Sequence, residues 1–405
     1  MGMSVLLTTM NGGDIKTSMT PRERVRAAVK GLPLDRVPVM YWLNPHAACK
    51  MMTELQPGRS RAWNFLARTF WKRFTGGPGP FNLKEETRNA LPLLLQVYAN
   101  SDYLLELGAD MANVPYGTAA YWGRLYRKNG SIRARDVFGA ERGMGGIYLE
   151  VIKPAVKTAR ELRDLPLRDA SSEKNYAGIR KFRSRHPGAC IFSDCFGVQD
   201  LPATQIWEMS QFMMALYDAP DDVKVFQQRF CDYMIGIARR SVKAGADVVF
   251  IYDDYGYTGR TLISMEMWKE FTLPHLKRQV EAVHDAGGLV MLHSCGYQMP
   301  FLPYYVEAGV DILQTFQPKA GNDFVAAYAQ YGDKLCFNTG IDIQQGESMT
   351  PDELRDSILR AYQIGGRKGR HILGMTHMMQ YTMPMENMRA IFRTVRDIQA
   401  GRYEE

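Results

Sequence analysis

From residue 18 to about residue 400 the chain alternates short apolar runs, closed by turn residues, with longer stretches whose apolar positions recur at helical spacing. The first firm signal is Thr20-Pro21-Arg22-Glu23. Thr20 can accept from the Glu23 amide while the Glu23 carboxylate reaches back, Pro21 suits the first helical turn, and Gly31 ends the helix. The same device recurs at Thr350-Pro351-Asp352-Glu353. Eight runs read as strands: Val37 to Trp42, Met111 to Pro115, Ala189 to Ser193, Asp247 to Tyr252, Leu289 to His293, Asp311 to Phe316, Lys334 to Asn338 and His371 to Gly374. Helix-length segments such as Met265 to Ala286 and Pro351 to Ile364 separate the later ones, so consecutive strands should lie parallel through right-handed crossovers. Eight such units close into an α/β fold, the (β/α)8 or TIM barrel. A doubly wound sheet is the competing arrangement, although no G-x-G-x-x-G follows the first strand.

Two stretches exceed the plain pattern. The segment from Asn44 to Asp110, with its aromatic run Trp63 to Phe74, reads as an N-terminal helical elaboration inserted after the first strand. Tyr121 to Leu149, carrying Asn129-Gly130 and Gly143-Met144-Gly145-Gly146, reads as a hairpin or lid over the barrel mouth. Residues 1–17 lack periodicity and are expected to form a mobile tail, which leaves one domain over residues 18–400.

Composition narrows the class. With 46% hydrophobic and 23% charged residues the chain can bury a large core, which excludes intrinsic disorder. No apolar run reaches the roughly eighteen residues a membrane helix needs, so a soluble protein with no membrane role is expected. The six cysteines are scattered without a C-x-x-C pair, which points to a reducing, cytoplasmic setting. The net charge is +7, yet the basic residues are dispersed and not interleaved with aromatics. That excludes a nucleic-acid footprint and leaves room for an acidic protein partner, an anionic substrate or a homodimer.

In a barrel, reactive groups lie just past the C-terminal ends of the strands. There the chain places Asn44 and His46 after the first strand, Asn113 and Tyr116 after the second, and Asp194 and Cys195 at the third. Asp253, Asp254 and Tyr255 follow the fourth, His293 and Cys295 the fifth, Gln314 and Gln317 the sixth, Asn338 the seventh and His377 the eighth. Asn44, Tyr116, Tyr255, Gln317 and Asn338 are candidate substrate contacts. His293-x-Cys295 is the sharpest feature, because residues two apart at a strand end face the same way and can share one metal. Imidazole plus thiolate favours zinc, with His377 as third ligand and an open fourth position for substrate. The plainer alternative is a small buried cysteine beside a histidine bonded to backbone. Asp253 and Asp254 could donate an oxygen, support a ligand, or brace a loop. The methionines Met375, Met378, Met379, Met383, Met385 and Met388 could line an apolar pocket, though flexible core filling is the commoner use. Asp110 reads first as a turn brace.

These pieces resemble a known superfamily. Met19-Thr20-Pro21-Arg22-Glu23-Arg24-Val25 with Asp35-Arg36-Val37-Pro38, Gly245-Ala246-Asp247 leading to Asp253-Asp254, and His293-Ser294-Cys295-Gly296 are similar to uroporphyrinogen decarboxylase superfamily motifs. So are Glu307 to Asp311 and Pro384-x-Glu386-Asn387, and the resemblance extends over about residues 18–400. It implies a TIM barrel and two chemistries. True decarboxylases carry R-Q-A-G-R after the first strand, where this chain has Trp42-Leu43-Asn44-Pro45-His46. Asp110 falls near that branch's key aspartate and would assist protonation in a metal-free decarboxylase or lyase. The corrinoid-dependent methyltransferase branch binds zinc through H-x-C and a later cysteine, whose place here is taken by His377. The resemblance therefore implies a zinc enzyme with Asp253 or Asp254 in support. It would pass a methyl group between the cobalamin of a corrinoid protein and a small thiol, alcohol or methoxylated compound. A decarboxylase is the second expectation, and a barrel that only binds a ligand the third.

Overall fold

In the computed structural model, which describes residues 18–44, 47–48, 50–51, 101–117, 124–128, 131–145, 148–366 and 369–403, all eight apolar runs form strands. They are β1 (Val39–Met40), β2 (Met111–Asn113), β3 (Cys190–Phe196), β4 (Val248–Tyr252), β5 (Leu289–His293), β6 (Ile312–Gln314), β7 (Cys336–Ile341) and β8 (His371–Met375). Every neighbouring pair is parallel, in the spatial order β1-β8-β7-β6-β5-β4-β3-β2. The remaining seam is drawn together by the Asp110 amide donating to the Val39 carbonyl at 2.8 Å, so the sheet is a nearly closed (β/α)8 barrel. The first strand is shorter than its apolar run because Pro38 has no amide to give the ladder. Its carbonyl still accepts from Leu373 at 2.9 Å, and pairing resumes beyond β1 where Met379 donates to the Trp42 carbonyl.

Strand alternation sorts side chains between two environments. Met40, Met111, Phe192, Phe250, Met291, Ile312, Cys336 and Ile372 meet in one apolar cluster inside the barrel. Two residues further along the same strands, the next inward positions are Trp42, Asn113, Asp194, Tyr252, His293, Gln314, Asn338 and Gly374. Outward residues such as Val249, Ile251, Leu292 and Leu313 pack under the helices. Asn338 and Gly374 are matched in shape: a Cβ at residue 374 would stand 1.6 Å from Asn338 Oδ1.

Both capping boxes form, on the helices Pro21–Lys30 and Pro351–Ala361, and Gly31 closes the first at φ 66°. The stretch expected as one helix from Met265 to Ala286 is two, Met265–Phe271 and Leu273–Asp285. Pro274 causes the break, since it lacks an amide and its ring would strike the carbonyl one turn back. The expected hairpin is a four-stranded antiparallel meander of Arg124–Lys128, Ser131–Arg135, Glu141–Gly145 and Tyr148–Lys153. Asp136 accepts from the Phe138 and Ala140 amides at 3.0 Å and from Arg142 Nε at 2.8 Å, and Arg142 reaches Gln205 Oε1 at 2.5 Å. The meander is thereby clamped to the segment following β3, and no described residue of it lines the mouth cavity. Residues 1–17 and most of the elaboration after β1, Trp63 to Phe74 included, lie outside the described residues.

Candidate metal centre

His293 is the last residue of β5, and the loop beyond it is strapped on all sides. The Cys295 amide donates to Asp254 Oδ1 at 2.6 Å and the Gly296 amide to Gln317 Oε1 at 2.9 Å. Gln298 Nε2 donates to the Cys295 carbonyl at 2.6 Å, and Asn322 Nδ2 to that of Gly296 at 2.9 Å. Gly296 sits at φ 81°, and a Cβ there would lie 2.3 Å from the Gly256 backbone, so only glycine permits this approach of two loops. On the other side, Thr376 is pinned by its amide to the Ile341 carbonyl at 2.9 Å, while its hydroxyl accepts from the Ile343 amide at 3.1 Å. That aims the next residue, His377, at the same point. One ligand atom each from His293, Cys295 and His377 lie within 4.8 Å of one another. The two imidazoles are 5.9 Å apart between centroids, and Trp42 packs beside both, 5.1 Å from His293 and 5.5 Å from His377.

The protonation of His293 follows from a hydrogen-bond chain. Gln314 Nε2 donates to the Met375 carbonyl at 3.3 Å, so Gln314 Oε1 is left to accept. It accepts from the Thr315 hydroxyl at 2.6 Å, and His293 Nδ1 lies 2.7 Å from that same hydroxyl and also against Gln314 Oε1. Nδ1 therefore carries the proton, and the Nε2 lone pair is presented 3.4 Å from Cys295 Sγ. Thr315 holds this arrangement at φ 73°, a conformation a β-branched residue adopts at a cost of about 1–3 kcal/mol. Burial pushes the His377 imidazole down to about 4, with a further push from His293, so it too offers a neutral nitrogen. Burial, with Asp254 and Asp200 adding, raises the Cys295 thiol well above its ordinary value. A cation among these three atoms reverses that balance and favours the thiolate. Two imidazoles and a thiol, with the supporting bond on His293 already made, fit a zinc ion with room for a further ligand.

Cys295 and His377 open onto a cavity of about 840 Å³ that Asp200, Asp254, Tyr257, Gln317, Lys319 and Glu347 also line. This is the size of a small-molecule site. Asp254 and Gln317 thus stand where the sequence placed them, the former also 3.7 Å from His293 Nε2.

Other candidates lie elsewhere. Asp253 is buried away from the cavity, accepting from the amides of Gln199 at 3.0 Å and Asp200 at 2.6 Å. Burial pushes its carboxyl up to about 7, and the two amides it holds belong to the turn after β3. Tyr255 is core, packed 5.3 Å from Trp268 and 5.6 Å from Phe301 between ring centroids. Asn338 is sealed inside the barrel with its Nδ2 2.7 Å from Met40 Sδ. Tyr116 stacks on Tyr176 at 6.3 Å, and Asn44 is buried with its amide on the Met379 carbonyl; neither lines the cavity. His46 lies outside the described residues. Of the methionines, Met378 lines the cavity while Met375, Met379, Met383 and Met388 are core. Asp110 precedes β2 and so lies at the opposite end of the barrel, buried under Arg24 and Arg36. The sequence reading gives no role to Trp42, Gln314 or Asp200, although it counts Gln314 among the polar residues past the sixth strand; nor does it single out Tyr257, Lys319 and Glu347, which line the cavity. Trp42 and Gln314 are inward positions that strand alternation alone would have found. Asp200 is brought in by the turn after β3, and its carboxyl is pushed well up by burial and by Asp254 and Asp253.

A sequence model of uroporphyrinogen decarboxylase (URO-D) matches residues 152–398. The methylated-thiol--coenzyme M methyltransferase of Methanosarcina mazei is 24% identical over 194 residues, which are 46% of this chain and 47% of that protein. The uroporphyrinogen decarboxylase of Coxiella burnetii is 24% identical over 191 residues, 45% of this chain and 49% of that one. The matched segment spans about half the length of these curated relatives. A solved methyltransferase from Methanosarcina mazei shares the fold, with a TM-score of 0.66 at 18% identity, covering 94% of this chain and 99% of that one. No helix among the described residues is long and apolar enough to cross a membrane. The barrel, its loops and a family match over more than half the chain agree: this protein belongs to the uroporphyrinogen decarboxylase (URO-D) family.

Proposed function

We propose that the protein is a zinc-dependent methyltransferase that works with a corrinoid protein, moving a methyl group between that partner's cobalamin and a small thiol, alcohol or methoxylated compound. The observation that carries this reading is the convergence of His293, Cys295 and His377 within 4.8 Å at the edge of a cavity large enough for such a substrate. The similarity to a methylated-thiol methyltransferase supports it. Zinc bound there would supply Lewis acidity toward a substrate oxygen or sulfur. The chain's own residues do the rest. Gln314 and Thr315 hold the His293 proton on Nδ1, Asp254 and Gln317 fix the Cys295 loop, and Trp42 packs against both imidazoles as an apolar wall. Two imidazoles with one thiolate leave the metal more electrophilic than a thiolate-rich set would, which favours an oxygen substrate. The free cysteines of the described chain suit a reducing cytoplasm. A decarboxylase reading would lean on Asp110, which is engaged by two arginines at the closed end of the barrel.

Metal analysis combined with the visible spectrum of cobalamin tests the proposal. Stoichiometric zinc, lost in the His293→Ala, Cys295→Ala double variant, and a spectral change with methyl compounds that depends on His293 are the expected results. An enzyme active without metal, or one releasing carbon dioxide from a porphyrinogen, would reject it.

A further inference from the structure

The β1–β4 arc of the barrel mouth carries a second polar constellation that the metal chemistry leaves unused. Asp194, inward on β3, has one carboxylate oxygen fully engaged: Oδ1 accepts from Asn113 Nδ2 at 2.7 Å and from the Tyr252 hydroxyl at 3.0 Å. Oδ2 has no partner among the described residues. The Asp194 partner Tyr252 belongs to an aromatic group, with Phe196, two residues beyond Asp194 on the same strand, 5.7 Å, Trp42 6.1 Å and the His293 ring 5.5 Å from it between centroids. Trp42, Asn113, Asp194, Phe196 and Tyr252 are all half-buried, in a barrel whose next inward residues are sealed. None of the inward positions nearest the mouth is a lysine or arginine.

A carboxylate oxygen without a donor, on a carboxylate bound to one member of an aromatic group, attracts a cation through charge, and the ring quadrupoles add to it. An anion entering the same space meets repulsion and gives up its water without a compensating donor. We propose that Asp194, Trp42, Phe196 and Tyr252 form a recognition subsite that takes the protonated amine of a small organic substrate and turns carboxylates away. The proposal rests on the reading of the mouth as a substrate site and names the class of compound it admits, an amine-bearing thiol, alcohol or methyl ether. Burial pushes the Asp194 carboxyl up to about 6, which leaves it mainly ionised at neutral pH.

Calorimetric binding of three molecules of one shape, benzylammonium, benzyl alcohol and benzoate, tests it at neutral pH. The protein is used as purified and again after chelation, so that a carboxylate bound to metal does not count. Benzylammonium should bind about tenfold more tightly than benzoate, and Asp194→Asn should remove that preference. Tyr252→Phe and Asn113→Ala, which remove the donors that favour the ionised Asp194 carboxylate, should each narrow it, and they serve if Asp194→Asn does not fold. Benzoate binding as tightly as benzylammonium, or a preference unchanged in the folded variants, overturns the subsite. Absence of methyl transfer with the amine preference intact would reject the reaction and spare the subsite, whereas methyl transfer without the preference would reject the subsite alone.

Discussion

The two ends of this barrel both bury ionisable side chains, and they treat them in opposite ways. At the N-terminal end the buried carboxylates are densely paired. Asp110 receives Arg24, Arg36 and, at 2.8 Å, the Val39 amide, while Asp247 receives Arg22 at 2.5 Å, Arg183 and the Ile191 amide at 3.0 Å. Arg22 and Arg24 both come from the capped helix Pro21–Lys30, which thereby ties the ends of β2 and β4 together. At the C-terminal end the supporting bonds are equally dense, yet they lead to His293 Nε2 and Cys295 Sγ, whose described hydrogen-bond partner is one another at 3.4 Å, and to Asp194 Oδ2, which has no partner among the described residues. Saturated charge at one end makes stability, and supported but unsaturated donors at the other make a site.

Three changes would break or sharpen that contrast. The largest effect should come from Asp110→Ala, which removes the carboxylate shared by Arg24 and Arg36 and leaves Arg24 to Asp35 alone among the acids. Removing one member of a buried ionic network costs about 3–5 kcal/mol. Urea unfolding should register the loss, while zinc per folded molecule stays at the wild-type value. A fall in zinc content without a fall in stability would place Asp110 in the functional half.

Next in size is the response to acid. His371, at the N-terminal end of β8, is fully buried with Nε2 3.0 Å from the Thr339 carbonyl, and burial pushes its imidazole down to about 4. The unfolded chain takes up the proton near pH 6.5 and the folded chain only near 4. The stabilisation from the buried neutral ring is therefore complete above pH 6.5 and is lost as the pH falls from there to 4, by ~3 kcal/mol. Unfolding free energies across that window should show the slope, to which His275 and His377, also pushed down to about 4 by burial, add, and His371→Gln should make it shallower.

The smallest change in stability, and the most selective, belongs to Gln314→Ala. It removes the acceptor that orders Thr315 and His293, so zinc affinity should fall about 10–100-fold while the unfolding midpoint moves little. Competition with a chromophoric chelator would measure it. Equal affinity in the variant would mean that the His293 tautomer is set by another route.

Much of this architecture was legible in the chain. Apolar runs bounded by turn residues marked all eight strands, because burial on two faces demands such runs and turns demand glycine, proline and polar residues. The two Thr-Pro-x-Glu caps were equally plain, since a capping box is a local device. Less was visible where one local signal masked another, as at Pro274, where helical periodicity on both sides concealed a break in the backbone.

The amino-acid sequence by itself determined the barrel, the inward or outward side of each strand residue, and the pairing of His293 with Cys295 on one face, all of which follow from spacing along a single segment. Only the tertiary structure decided which polar residues past the strand ends became site and which became scaffold. Asp254 and Asp253 are neighbours in the chain, yet one faces the cavity and the other props the turn at residues 199–200. His377 reaches His293 because β8 and β5 curve toward a common axis, a distance no local pattern encodes. Spacing along a strand specifies direction, whereas convergence of separate strands depends on how the whole sheet twists and closes.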